Sequence, residues 1–133
     1  MDPRIFSVEE ANRFIPRIQS LLKELRALRE KIEAKKLEMD LLEIVSASRH
    51  EHASREVGMS REMTELNELA GRFNKHLEEL EDGGGQLKDL DQGLIDFFSV
   101  RDGQLVYLCW KEGEETVQYW HTLDGGFQGR KPL

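Results

Sequence analysis

The chain has 133 residues, 34% of them charged and 38% hydrophobic, a balance typical of a folded domain with much helical surface. This length suits one domain and is short for two, so we expect a single domain over residues 1–133. The net charge of −7 argues against general nucleic-acid binding, and the single cysteine excludes an internal disulfide. No apolar run resembles a membrane span or a signal peptide, which predicts a cytoplasmic protein without membrane contact.

A first long helix is predicted to begin at Ser7. Ser7 and Glu10 form a capping box, in which the side chain of each residue accepts a hydrogen bond from the backbone amide of the other. Apolar residues then recur at alternating intervals of three and four, as in a heptad stripe, with a break at Lys35. The stripe comprises Ala11, Phe14, Ile18, Leu21, Leu25, Leu28, Ile32, Met39 and Leu42. Pro16 removes one intrahelical hydrogen bond, and we expect a bend there.

A second stripe predicts a second helix that ends at residue 82. It comprises Met59, Met63, Leu66, Ala70, Phe73, Leu77 and Leu80. The glycines at 83–85 permit the left-handed conformation that ends many helices. Residues 46–58 carry no stripe and are interpreted as the connection or as a frayed helix end. Together the two stripes predict an antiparallel helical hairpin over residues 7–82.

The charges of the two predicted helices are complementary. Residues 13–36 carry eight basic and three acidic side chains, whereas residues 62–82 carry seven acidic and two basic ones. The basic side chains are therefore expected to face the second helix or solvent, and a nucleic-acid partner is not expected. Because a narrow two-helix seam buries little apolar area, it needs the C-terminal region or a second copy of the chain. We expect a homo-oligomer, most simply a dimer that a charge at Leu25 or Leu28 would weaken, or another protein bound at the helical faces.

The C-terminal third changes to short runs rich in aromatic and β-branched residues. Such runs cover residues 94–98, 105–110 and 117–121, and turn residues such as Asp102-Gly103 and Gly113-Glu114 separate them. They predict a three-stranded antiparallel meander and a tail, which together span residues 93–133. The expected fold class is α+β, a long antiparallel helical hairpin with a small three-stranded antiparallel β-sheet at the C-terminus.

Several side chains of this region are candidates for ligand binding. Asp96 lies in an apolar run, where a buried carboxylate requires a partner such as Arg130 or backbone amides. His121 is able to move a proton, and the glycine-rich tail beside Arg130 presents amides to an anion. Each feature also has a structural interpretation as an ion pair, a satisfied histidine, a turn or an aromatic core. The full set of candidates is Asp96, Cys109, Trp110, Glu114, Trp120, His121 and Arg130.

A metal site is not predicted. If the Gly113-Glu114 turn joins paired strands, Cys109 lies opposite residue 117 or 118, and His121 is then roughly 10 to 13 Å away at ~3.3 Å per residue. Zinc bonds of about 2.0 to 2.3 Å do not bridge that distance.

The segment His50-Glu51-His52 puts its histidines on different sides of a helix and would need further ligands. No sequence feature identifies a base for Cys109 as a nucleophile.

A resemblance to a known family covers nearly the whole chain. It rests on Phe6-Ser7, Glu9-Glu10-Ala11-Asn12, Gly93-Leu94-Ile95-Asp96-Phe97, Leu108-Cys109-Trp110, Gly113-Glu114, Trp120-His121 and Gly126-Phe127-Gln128-Gly129-Arg130. These motifs resemble the uncharacterised bacterial family catalogued as domain of unknown function 2203, with one departure at Phe98, where the family pattern has proline. The resemblance implies a bacterial origin and brings no reaction, cofactor or catalytic residue.

Two functions compete at this point. The excess of amphipathic helix over plausible core favours a noncatalytic binding or assembly module. The alternative is a small-ligand-binding or metal-dependent enzyme with a pocket between the C-terminal sheet and the helices. In that pocket Arg130 would bind an anionic group, and Asp96 or His121 would move a proton. The sequence assigns neither a cofactor nor catalytic residues.

Overall fold

The structure is a computed structural model that describes the backbone of residues 4–49 and 52–133 and the side chains of residues 4–45 and 60–133. Helix α1 spans Val8–Arg49 and helix α2 spans His52–Asp82. The strands are β1 Gln86–Asp89, β2 Leu94–Arg101, β3 Gln104–Lys111, β4 Tyr119–His121 and β5 Lys131–Pro132. In the described part of the chain, neither helix carries an apolar stretch sufficient to cross a bilayer.

The chain forms two compact units. The sheet unit contains Met1–Lys23 and Leu77–Leu133, and the helical unit contains Glu24–His76. The sheet unit therefore holds the start of α1, the end of α2 and the whole sheet. The helical unit holds the remainder of both helices.

The sheet unit contains the capping-box bonds at the start of α1 and the glycine-rich end of α2. The Ser7 amide donates to Glu10 Oε1 and the Glu10 amide donates to Ser7 Oγ, each over 3.1 Å. The bond from the Ser7 backbone lowers the pKa of Glu10. At the other end, Gly84 adopts a φ of 96° and donates its amide to the Glu81 carbonyl over 2.9 Å. A Cβ atom at Gly84 would lie 1.9 Å from the Phe6 ring, so glycine is required here by both backbone and packing.

The break at Lys35 in the first stripe has an electrostatic cause within the helical unit. Lys35 Nζ lies 2.8 Å from a carboxylate oxygen of Glu62 on α2 and also binds Glu65, and these bonds raise the pKa of Lys35. His76 Nε2 lies 3.2 Å from Glu24. Since a higher number on α1 meets a lower number on α2, the two helices run antiparallel. The charge complementarity seen in the sequence thus corresponds to ion pairs between α1 and α2.

The start of α2 and the burial of Leu25 and Leu28 differ from the expectations drawn from the sequence. Helix α2 begins at His52, upstream of the first stripe residue Met59. Residues 50 and 51 of the His50-Glu51-His52 segment lie outside the described residues, as does the side chain of His52. Leu25 and Leu28 are buried within the chain, with relative exposures of 0% and 7%, so they are not the free surface that a dimer through this face would need.

The sheet has five antiparallel strands in the order β1-β2-β3-β4-β5, so the prediction of three strands is wrong. Strand β1 pairs with β2 through Leu87 and Ile95, and β5 pairs with β4 through Lys131 and Trp120. Both added strands are short: one has four residues and the other two. Neither is long enough to display the alternation by which strands are recognised in a sequence.

One face of the sheet builds the core of the sheet unit. Ile95, Phe97, Leu108 and Trp110 belong to one buried cluster with residues of α1 such as Ile18. Because side chains alternate along a strand, the residues between these, including Asp96 and Cys109, point to the opposite face. We call this second side the outer face of the sheet.

Candidate functional site

The outer face brings together three of the predicted site residues, Asp96, Cys109 and His121. Asp96 pairs with Cys109 across β2 and β3, and Cys109 pairs with Tyr119 across β3 and β4. His121 lies two residues beyond Tyr119 and therefore emerges on the same face. One potential ligand atom from each of the three side chains lies within 4.8 Å of the other two, and all three residues are buried.

This arrangement corrects the separation expected between Cys109 and His121. The sequence argument placed residue 117 or 118 opposite Cys109, whereas the structure places Tyr119 there. The chain between β3 and β4 turns at Glu114, whose amide binds the Lys111 carbonyl, and it joins the β3–β4 ladder only at Tyr119. Before that point the Val117 amide donates to Oδ1 of Asn12 over 2.7 Å. Counting residues outward from the turn therefore gave the wrong register.

His121 is held by hydrogen bonds at both ring nitrogens. Nδ1 lies 2.7 Å from the Thr122 carbonyl oxygen and Nε2 lies 3.0 Å from Oδ2 of Asp96. A carbonyl oxygen only accepts hydrogen bonds, so Nδ1 carries a proton. The contact with Asp96 then holds a second proton between imidazole and carboxyl. Among the described residues, Asp96 thus pairs with His121 rather than with Arg130.

Cys109 lies beside this pair in an environment that keeps it a thiol. Burial, followed by the negative charge of Asp96, raises the pKa of Cys109 to about 12, although a hydrogen bond from Arg130 acts in the opposite direction. Arg130 Nη1 lies 3.9 Å from Cys109 Sγ. Both nitrogens of His121 already face oxygen atoms. Cys109 therefore lacks the low pKa that marks a nucleophilic cysteine, and the imidazole beside it is already engaged by Thr122 and Asp96.

Glu114 and Arg130 form a second polar group next to Cys109. Two hydrogen bonds of 3.1 and 3.0 Å join the guanidinium to both carboxylate oxygens. Burial alone lowers the pKa of Arg130, but the bonds to Glu114 and Cys109 raise it on balance. The guanidinium carbon also lies 4.0 Å from the ring centroid of Tyr119 and 4.6 Å from that of Phe127. Such a bidentate, stacked arrangement fixes the position of Arg130.

A cavity of about 270 Å³ lies over the outer face. Its walls combine Asp96, Cys109 and His121 with apolar and aromatic side chains and with the exposed Lys88. The remaining lining residues are Leu94, Tyr107, Leu123, Asp124, Gly126 and Phe127. In the described part of the chain, none of these lining residues belongs to α1 or α2, so this cavity differs from the expected pocket between sheet and helices. The wall opposite the sheet comes from the tail, where Gly126 adopts a φ of 61°.

The two tryptophans among the candidates do not line this cavity. Trp110 is completely buried on the core face, and its Nε1 donates to the Glu114 carbonyl over 2.9 Å. Trp120 packs against the same core, with Arg101 and Lys131 near its ring. Both side chains support the unit that carries the site.

Seven of the ten residues that line the cavity were not among the sequence candidates, including Lys88, Tyr107 and Leu123. Tyr107 is two positions from Cys109, and this spacing was the available signal that they share a face. Lys88 lies on a strand that was not predicted, and its Nζ is 5.1 Å from the Tyr107 ring centroid. Leu123 lies in the tail, whose path across the sheet has no local sequence signature.

Comparison with protein families gives one result. A family model described as an uncharacterized conserved protein, DUF2203, matches residues 4–133. A search of curated proteins and a search of solved structures each found no match.

Proposed function

Because the chain belongs to the DUF2203 family, whose description carries no activity, we propose a function from the site alone: the protein binds a small ligand in the cavity on the outer face of its sheet. The observation that carries this proposal is the buried Asp96–His121 pair in the wall of that cavity. Buried polar groups are costly, and their concentration beside a concave apolar surface is typical of a ligand site.

The lining indicates the class of ligand. Leu94, Tyr107 and Phe127 supply apolar and aromatic surface, and Lys88 supplies a positive charge. Within the described residues, Lys88 forms no salt bridge. An organic molecule with an anionic group fits this combination. A cavity of this size suits a small metabolite, since pockets for drug-sized ligands begin near ~300 Å³.

Native mass spectrometry of the protein as purified, followed by a denaturing spectrum, tests this proposal. We expect an additional mass that disappears on denaturation. Leu123→Trp should occlude the cavity and remove that mass, whereas Val100→Trp, at an exposed position outside the cavity, should retain it.

Titration with anilinonaphthalene sulfonate adds a defined anionic aromatic probe. Lys88→Glu and Leu123→Trp should each weaken its binding at least about tenfold, equivalent to ~1.4 kcal/mol. Equal binding by wild type, Leu123→Trp and Val100→Trp, together with no additional mass, would contradict ligand binding in this cavity.

A second candidate function, self-association, rests on a separate observation in the helical unit. Leu37, Leu41, Ile44 and Val45 are all 45% or more exposed, and their spacing of four, three and one puts them along one side of α1. Exposed apolar stripes of this kind characterise helical assembly surfaces. We propose that a second copy of the chain covers this stripe. The proposed dimer contact is therefore the exposed stripe at residues 37–45 and not the buried Leu25 and Leu28.

Sedimentation equilibrium separates this candidate from the first. Leu41→Glu should weaken the dimer at least about tenfold, because a charge would be buried against apolar side chains. Val100→Glu, a charge at an exposed apolar position of the sheet unit, should leave the dimer intact. A wild-type protein that is monomeric at all concentrations would refute self-association and would not affect ligand binding.

A further inference from the structure

We propose that Asp96, Cys109 and His121 bind a divalent transition-metal ion of the zinc class at the wall of the cavity. This inference rests on the proposed ligand site and names what anchors the ligand there. Among the described residues, this is the cluster in which a thiol, an imidazole and a carboxylate converge. These three groups are the side-chain ligands that zinc takes in proteins.

The distances between the three ligand atoms are slightly longer or shorter than those of a metal-bound site. Bonds of about 2.0 to 2.3 Å in a tetrahedral arrangement hold ligand atoms roughly 3.5 Å apart. In the structure the ligand atoms lie within 4.8 Å of one another, and His121 Nε2 is 3.0 Å from Asp96 Oδ2. Side-chain movements of roughly 1 Å therefore suffice to enclose an ion.

The surroundings of the three side chains have the form of a second coordination shell. Metal-binding histidines commonly donate their other ring N–H to a backbone carbonyl, which fixes the tautomer and the orientation of the ring. The Nδ1–H of His121 does so towards Thr122 over 2.7 Å, which leaves Nε2 for the ion. The Thr122 carbonyl is itself fixed by the Gly125 amide over 3.1 Å. Arg130 donates towards Cys109 Sγ, and Glu114 balances its charge.

The charges also balance. Before binding, the thiol is neutral and the Asp96–His121 pair holds one shared proton, so the three groups have no net charge. When bound, the thiolate and the carboxylate each carry one negative charge and His121 is neutral, which cancels the charge of a dication. Binding one ion therefore releases two protons, one from Cys109 and one from the pair. Three protein ligands leave a fourth position for water or for a ligand in the cavity, as in catalytic zinc sites.

Titration of the chelator-treated full-length protein with Co²⁺ tests this inference. Cys109 is the only cysteine, so a thiolate-to-cobalt charge-transfer band has one source. We expect the band to saturate at one equivalent and to disappear when Zn²⁺ displaces Co²⁺. Cys109→Ser should abolish the band and weaken Co²⁺ binding by at least ~100-fold, the upper end of what second-shell changes cause. His76→Gln, a substitution at a half-buried histidine of the helical unit outside the cluster, should leave band and affinity unchanged.

The outcomes distinguish the ion from the cavity ligand. Failure of wild type to take up Co²⁺, or uptake without a thiolate band, overturns the metal inference whether or not variants fold. If that result accompanies an organic mass lost in Leu123→Trp, the cavity proposal stands and the metal inference fails. A thiolate band with no organic mass and no anilinonaphthalene sulfonate binding supports the ion and contradicts the organic ligand.

Discussion

The Nε2 atom of His121 lies 3.0 Å from Oδ2 of Asp96, and the two side chains are 2% and 6% exposed. Removing one partner leaves the other with an unsatisfied polar group in the interior. In chelator-treated protein, Asp96→Ala should lower the free energy of unfolding by about 3 kcal/mol. Asp124→Ala, which removes an exposed carboxylate of the same cavity, should change it by less than ~0.5 kcal/mol. Urea unfolding measures both values, and equal effects would contradict a structural role for the pair.

The thiol of Cys109 predicts a specific dependence of stability on pH. Its pKa is raised from 9.0 to about 12 in the folded protein. The contribution of the neutral thiol is complete below pH 9 and is lost as pH rises towards 12, because the unfolded chain releases this proton first. Relative to Cys109→Ser, metal-free wild type should lose about 1 kcal/mol between pH 8 and pH 10.

The comparison with Cys109→Ser isolates this effect, because Asp96, His121 and Arg130 face the position in both proteins. Urea unfolding at the two pH values provides the measurement. A difference between the two proteins that stays constant with pH would show that the thiol does not titrate as its surroundings predict.

Arg130 contributes through its geometry as well as its charge. Arg130→Lys keeps the charge but loses the bidentate bond to Glu114 and the stacking on Tyr119 and Phe127. We expect a loss of about 1 to 2 kcal/mol in the free energy of unfolding. Arg17→Lys is the matched control, because Arg17 forms a bidentate pair with Glu79 in which both side chains are more than 40% exposed. Its effect should stay below ~0.5 kcal/mol, and a similar loss in both variants would refute the special role of Arg130.

Alanine substitutions at Gly84 and Gly103 distinguish the cost of backbone strain from the cost of a packing clash. Both have a positive φ, of 96° and 76°, but a Cβ atom meets the Phe6 ring at Gly84 and nothing within 4 Å at Gly103. Gly103→Ala should cost about 1 kcal/mol from strain alone, and Gly84→Ala more than ~3 kcal/mol because Phe6 must also move. Thermal unfolding with calorimetry compares the two. A Gly84→Ala protein as stable as Gly103→Ala would mean that Phe6 does not occupy this position.

The helices could be predicted because their signals are local. The Ser7–Glu10 capping box and the glycines after Asp82 act within a few residues, and both have the expected hydrogen bonds. Lys35 interrupts the stripe because it forms ion pairs with α2, which the sequence indicated only through the overall charge pattern.

The sheet was harder to predict because its edge strands depend on their partners. Gln86–Asp89 and Lys131–Pro132 have little strand character of their own and are ordered by pairing with β2 and β4. The residues just before Tyr119 lie outside the β3–β4 ladder, and the Val117 amide binds Asn12 instead, so the register of β4 is likewise hidden in the sequence. The chemical types of the site residues could therefore be chosen from the sequence, but their convergence could not.

The most direct test of the proposed site is the X-ray absorption spectrum of the Zn²⁺-loaded protein at the zinc edge. The proposed ligands predict one sulfur neighbour at about 2.3 Å and nitrogen and oxygen neighbours at about 2.0 to 2.2 Å. This sulfur identifies Cys109, since the chain has no other cysteine, and the remaining neighbours correspond to His121, Asp96 and a fourth ligand in the cavity. A zinc shell made only of nitrogen and oxygen would contradict the site.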